Sequence, residues 1–278
     1  MLAMNKALIA SEAQNVEGLR EQILQVISAG VRKGTTLRGI TYEGLKRVEK
    51  RSGELVDRIF DDIRELSLEF PGLDCFAVAN WNTEYRIRLT PEQIAAIGNF
   101  PESEAILNSP CPFNPGKMIR ETHFAFVGVD SITMMELQRL NPKATEPRFY
   151  SYAPDAWYAK EKLATKIKLS LRWYLLLKDI VPGSENKTFE EQVAMLPKEY
   201  EVPSAVLETT KDLLYFKKTG KYVNPNRYAR TSDLDSSGDR VGVGDCGAGG
   251  VGVYGWYDDS RYSRVGVGAC RKFDEPRS

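Results

Sequence analysis

The chain has one histidine in 278 residues, His123 in "ETHFAFVGV", and four cysteines, Cys75, Cys111, Cys246 and Cys270, none of them spaced as CxxC. So few soft ligands exclude the common zinc sets and leave no imidazole near the serine-rich "DSSGDR" to activate a hydroxyl. His123 reads as an ordinary strand residue. No apolar run is long enough to cross a bilayer; "LRWYLLLKDIV" comes nearest and is too short. The first residues, "MLAMNKALIASEAQNVEGLREQ", lack the apolar core of a secretion signal. A soluble chain with no transmembrane segment is expected, cytoplasmic by default. Net charge is absent too, with 38 basic against 38 acidic residues. That removes any whole-chain argument for nucleic acid or an anionic membrane as partner. "GVGDCGAGG" lacks the following helix and the Lys-Ser/Thr pair of a phosphate loop, and "YDD" lacks the ligand density of a calcium loop. No catalytic residue, metal or cofactor is identified, and the chain reads as a non-enzyme.

What is present is a core-forming composition, 42% hydrophobic, enough for one large domain or two ordinary ones. Leu19, Ile23, Val26 and Ile27 share one helical face. A second helix from about Thr41 carries a long apolar stripe from Leu45 to Leu66, a surface for packing or for a homo-oligomer. "CFAVAN" and "YRIRL" predict a hairpin. Thr90-Pro91 opens a short helix. "NSPCPFNPGK", with its three prolines, marks a domain boundary, giving a mainly helical region over 1–115 and a second domain over 116–278.

Beyond it, "MIRETHFAFVGV" reads as strand and Asp130 caps a helix through Leu140. "PRFYSYA" reads as extended, and Lys166–Val181 as a long central strand. Thr188 and Glu191 form a capping box, and Pro203 opens a helix ending at Gly220. A terminal meander of antiparallel strands completes an α+β domain. Val-Gly-Val occurs in it at Val241–Val243, Val251–Val253 and Val265–Val267. One face of each strand carries valine. The other carries glycine, which a strand interior disfavours. Close packing by a neighbour explains glycine at Gly244, Gly266 and Gly268. Whether Cys246 and Cys270 pair across these strands stays open.

From Ser232 to Cys270 there is no Lys, Glu, Gln or Met. Replacing only the adenines of an asparagine codon gives outcomes that include Gly, Ser, Tyr, Asp, Arg, Cys, Ala and Val, but never those four or Trp, and Trp256 is the one exception in the window. With this pattern, "RVGVGDCGAGGVGVYGWYDDSRYSRVGVGACRKF" resembles the C-terminal variable region of proteins diversified by retroelements that misread adenines in a template repeat. The resemblance covers roughly Met118 to Phe273 and implies a C-type-lectin-like fold related to the formylglycine-generating enzyme. It implies a receptor- or adhesin-like binding protein for a variable macromolecular ligand, in all expectation a protein. The exposed, variable set it implies is Gly242, Asp245, Cys246, Ala248, Gly252, Tyr254, Gly255, Ser260, Tyr262, Ser263 and Arg264. The valines, Trp256 and Asp258 form the framework, and glycine at Gly242 and Gly252 reflects diversification. The Glu-Pro-Asn calcium motif of sugar-binding lectins is absent, so calcium-dependent sugar binding is not implied. Alternatives are a fixed structural or phage-type adhesin subunit of the same fold, or a formylglycine-generating-type enzyme using Cys246 and Cys270.

Overall fold

The computed structural model describes residues 72–273; the two N-terminal helices expected above lie outside them. The elements in chain order are β1 (Asp74–Phe76), α1 (Val78–Tyr85), α2 (Pro91–Ile97), α3 (Glu104–Leu107), β2 (Pro110–Cys111), β3 (Asn114–Met118), α4 (Ile119–Thr122), β4 (His123–Val127) and α5 (Met134–Leu140). A 3₁₀ turn (Trp157–Lys160), α6 (Lys162–Thr165), β5 (Trp173–Leu177), α7 (Phe189–Val193), β6 (Tyr200–Glu201) and α8 (Ala205–Thr219) follow. The chain ends in β7 (Tyr228–Leu234), β8 (Arg240–Gly247), β9 (Gly250–Trp256), β10 (Val265–Val267) and β11 (Cys270–Arg271). The result is a mixed α/β architecture. One sheet has the order β1-β4-β5-β11-β6, a second β10-β7-β8-β9, and β2 pairs with β3 in a hairpin.

Helix α8 packs against strands of both larger sheets. Ser204 caps it, its Oγ accepting from the Leu207 N–H at 3.4 Å, while Asp233 accepts from the Ala205 N–H at 2.6 Å. Gly220, at φ 68°, ends it in the left-handed conformation that glycine adopts without strain. Leu213 and Leu214 are fully buried in the core that also takes Val241, Val243, Val251 and Val253. Burying each valine contributes roughly 1.5–2 kcal/mol, so the period-2 valines fix which way β8 and β9 face.

Several sequence expectations hold. Thr90 and Gln93 cap α2 reciprocally, as do Thr188 and Glu191 for α7. The meander β7-β8-β9 is antiparallel, and β10 adds to β7 in parallel. Other expectations fail for physical reasons. The hairpin expected at 74–89 is a strand followed by helix α1. Trp81 and Tyr85, one helical turn apart, bury against Phe76, with ring centroids at 5.5 Å and 6.3 Å. The Trp81 indole donates to the Val127 carbonyl at 2.7 Å, and Asn80 accepts from the Ala77 N–H. Helix α5 is capped by Thr133, not Asp130. The long strand at Lys166–Val181 shrinks to Trp173–Leu177, though β5 is central as expected.

"NSPCPFNPGK" forms the β2–β3 hairpin instead of a linker, and contacts divide the chain between Glu69 and Phe70. Strand β1 pairs with β4, which ties residues just beyond that division into the larger sheet. Cys246 and Cys270 lie on strands of different sheets; both are buried and no disulfide joins them.

A strand at the sheet edge needs cover. Strand β9 receives it from residues 148–157: Val251 donates to Arg148 O, Tyr150 donates to Val251 O, and the Trp157 indole donates to Val253 O at 2.8 Å.

Because α8 is enclosed, its charges must find partners inside. Lys211, fully buried, pairs closely with Glu208 and lies 3.5 Å from Asp212. Asn224 donates to Glu208 at 3.2 Å, whereas Asp212 has the Cys246 thiol at 2.9 Å as its donor. With the ammonium matched to Glu208, a second carboxylate charge is uncompensated in low dielectric. Burial accordingly pushes the Asp212 carboxyl from 3.8 up to about 7, against the pull of Lys211. Between those limits the folded chain holds a proton that the unfolded chain has released. Stability therefore falls as pH rises from about 4 to 7, on the order of 1 kcal/mol per pH unit. Asp212→Asn, neutral at every pH, is expected to flatten that part of a denaturation profile. A slope unchanged in the variant would assign the proton elsewhere.

Candidate functional site

The glycine question is settled on the outer face of the β7-β8-β9 meander. In the register, Gly242 lies opposite Tyr254 and Arg230, Gly244 opposite Gly252 and Tyr228, and Arg240 opposite Trp256. These residues share the face opposite the valines. The Tyr228 and Trp256 ring centroids are 4.7 Å apart, Tyr228 and Tyr254 5.5 Å, and Tyr254 and Trp256 5.9 Å. Tyr262, from the loop after β9, joins at 6.3 Å from Trp256. A Cβ at Gly242 would stand 2.6 Å from the Trp256 ring, and one at Gly252 3.1 Å from the Tyr228 ring. Glycine is thus the floor on which aromatic rings lie close to the backbone. At Gly244, with φ 153°, a Cβ would fall 2.1 Å from the Arg227 carbonyl oxygen, so the close-approach reading holds there. It holds also at Gly266, against Ser184 and Ile180, and at Gly268, against Pro203 and Glu208.

A polar rim surrounds the rings. Asp245, in the left-handed region at φ 50°, accepts from the Tyr228 hydroxyl and from Arg264 Nη2, both at 3.1 Å. Arg264 Nε donates to the Asn226 carbonyl at 2.7 Å. Desolvation and the Asp245 carboxylate both raise the Tyr228 phenol above its ordinary range, so it stays protonated and donates. On the other side Arg240 pairs with Asp258 through two hydrogen bonds, at 3.0 and 2.7 Å, and its guanidinium lies 3.9 Å from the Phe189 ring centroid. Arg261 reaches Glu191 and the Asn186 carbonyl. Its hydrogen bond is the main reason the Glu191 carboxyl titrates low, at about 2.

Beneath the loop between β9 and β10 lies Arg230, fully buried. It donates to Lys187 O and Gln192 Oε1 through Nη1, and to Tyr257 O and Ser260 O through Nη2, at 2.8–3.2 Å. Hydrogen bonds from a charged donor to backbone carbonyls are stronger than neutral ones. The bonds to Tyr257 and Ser260 hold the loop by its main chain and do not involve its side chains.

Of the eleven residues anticipated as variable, Ala248, Tyr254, Gly255, Ser263 and Arg264 are exposed, and Asp245, Ser260 and Tyr262 are half-buried. Gly242 and Gly252 are buried under the rings of Trp256 and Tyr228. Cys246 points the other way. Its Sγ–H meets Asp212 in the core, where burial pushes the thiol far up. Gly255 also turns from the rings, its open side facing Asp235 and Asp239. Sequence reasoning assigned Trp256 to the framework and overlooked Tyr228. The alternation Tyr228-Ala-Arg230 marks an outward tyrosine, but its place in the cluster depends on cross-strand register.

The one histidine is structural. His123 Nδ1 faces the Ile119 carbonyl, and Nε2 accepts from the Tyr200 hydroxyl at 3.1 Å. Burial lowers its pKa to about 3 and raises that of Tyr200 to about 12. Among the described residues, no group of three His, Cys, Asp or Glu side chains could hold a metal ion.

Gly242→Ala places a methyl group where the Trp256 ring now rests, so the ring must tip outward. In a Trp157→Phe background, where Trp81 and Trp173 stay buried, acrylamide quenching of the indole fluorescence is expected to rise. Unchanged quenching would mean that the ring does not depend on the glycine. No protein-family model matches the chain, and neither a curated protein nor a solved structure matches it.

Proposed function

We propose that the chain is a binding protein of C-type-lectin-like fold whose ligand face is formed by Tyr254, Tyr262, Asp245, Ser263 and Arg264 around the Tyr228–Trp256 pair. The observation that carries this reading is the sharp division between the two faces of one meander. Valines and a buried helix lie behind; a continuous group of aromatic rings with a charged rim lies in front. Tyr254 keeps 41% of its surface exposed and Tyr257 64%. Tyrosine supplies large contact area at little entropic cost, and with arginine it dominates binding hot spots.

The same division supports retroelement-driven diversification. Exposed positions on a scaffold held by main-chain bonds accept many side chains, since surface substitutions away from special features usually change stability by less than about 0.5 kcal/mol. The buried glycines favour a second reading, a fixed adhesin of the same fold. The aromatic floor needs glycine at Gly242 and Gly252 whether or not the locus varies.

Two measurements test these readings. A display library scattering Asp245, Tyr254, Ser260, Tyr262, Ser263 and Arg264 is expected to yield mostly folded members and to enrich binders to a fixed protein target such as streptavidin. If most members unfold, these positions are structural and the binding reading fails. Sequencing the locus across a population of source cells separates the two modes. Substitutions clustered at these codons and matching adenines in a nearby repeat support diversification; uniform codons support the fixed adhesin.

A further inference from the structure

Whole-chain neutrality conceals a local excess of one sign. "KEKLATKIKLSLR", Lys160 to Arg172, carries five cations and one carboxylate. Lys160, Lys162, Lys166, Lys168 and Arg172 are all exposed. Among the described residues none of the five joins an ion pair. Elsewhere on the surface several arginines are paired: Arg139 with Glu136, Arg227 with Asp179, Arg240 with Asp258, Arg261 with Glu191 and Arg264 with Asp245. The single carboxylate within the stretch, Glu161, is taken up by the Ser236 N–H and hydroxyl, at 3.1 and 2.7 Å.

The stretch is also firmly seated. Leu163, Ala164 and Leu169 are buried, Leu169 donates to Ile132 O, and Arg172 O accepts from Gly128. The Arg172 guanidinium stacks 4.8 Å from the Tyr174 ring centroid. The exposed cations are therefore carried by an anchored segment and not by a loose loop. Between two of them Ile167 is 36% exposed.

We propose that this segment rests on an anionic lipid surface, with Ile167 entering the headgroup boundary and the exposed cations among acidic headgroups. The chemistry favours lipid over nucleic acid. Four of the five charges are lysine, a point charge suited to a diffuse negative surface, not the planar fork that grips a phosphate from two sides. An aliphatic side chain stands where a base-stacking aromatic would be needed, and residues 160–172 contain no aromatic. An apolar residue flanked by lysines matches the interface between water and acyl chain.

The test is sedimentation of the full chain with vesicles of phosphatidylcholine alone or with about 30% phosphatidylserine. Binding is expected only to the serine-containing vesicles and is expected to vanish near 0.5 M salt, where screening is nearly complete. Each lysine near such a surface is worth about a fivefold change in partition. Lys166→Gln, Lys168→Gln and Arg172→Gln together should therefore weaken binding about a hundredfold. Ile167→Ser, which leaves the charge intact, should weaken it about fivefold. All four positions are exposed, and unchanged thermal melting of the variants confirms the fold. Equal binding to both vesicle types, or none, overturns the proposal. So does tighter binding to a single-stranded RNA that is indifferent to Ile167→Ser, which would assign the patch to nucleic acid.

Discussion

Helix α8 is the constraint on which the rest of the described fold depends. It touches strands of both larger sheets, and residues 205–215 are buried throughout, so the charges of its first three turns cannot reach water. Leu213 and Leu214 meet the apolar demand, and Lys211 with Glu208 meets the ionic one internally. Breaking a buried pair of this kind by removing one partner costs several kcal/mol. The helix is therefore tied to its surroundings by specific bonds as well as by packing: Asp233 of β7 at its first turn, Cys246 of β8 at Asp212, and Asn224 at Glu208. The meander is held from behind at these points.

In front, the arrangement is organised around glycine and one buried arginine. Removing side chains at Gly242 and Gly252 lets Trp256 and Tyr228 lie against the strands, a packing gain that offsets the weak strand preference of glycine, whose scale spans only about 1 kcal/mol. Arg230 fastens the loop through the carbonyls of Tyr257 and Ser260. Main-chain anchoring is indifferent to the identity of the side chains above it.

Much of this was legible before any coordinates, and the boundary of legibility is physical. Local signals were reliable: the reciprocal caps at Thr90 and Thr188, the αL glycine at Gly220, and the inward valines of β8 and β9 each depend on a few adjacent residues. Signals that depend on distant partners were not. Cys246 alternates correctly for either face once the bulge between Gly244 and Gly247 shifts the register, and only α8 shows that it points inward. "CFAVAN" looks like strand until Trp81 and Tyr85 are seen to share a helical face against Phe76. The boundary placed near residue 115 followed the prolines, which instead shape a hairpin. At the candidate site Tyr254, Tyr262 and Arg264 are among the positions that the resemblance implies, while Tyr228 needed the pairing of β7 with β8.

The cover over β9 has a consequence for assembly. This strand would otherwise end its sheet with a row of unpaired amides and carbonyls, an invitation to another chain to add on and begin a fibril. Strand β9 holds neither a charged residue nor a proline, the usual devices that blunt an edge. The main chain of residues 148–150 and the indole of Trp157 already occupy positions along that edge. A change at the exposed Tyr254 of β9, even toward a stickier residue, therefore leaves the route to edge-to-edge polymerisation closed.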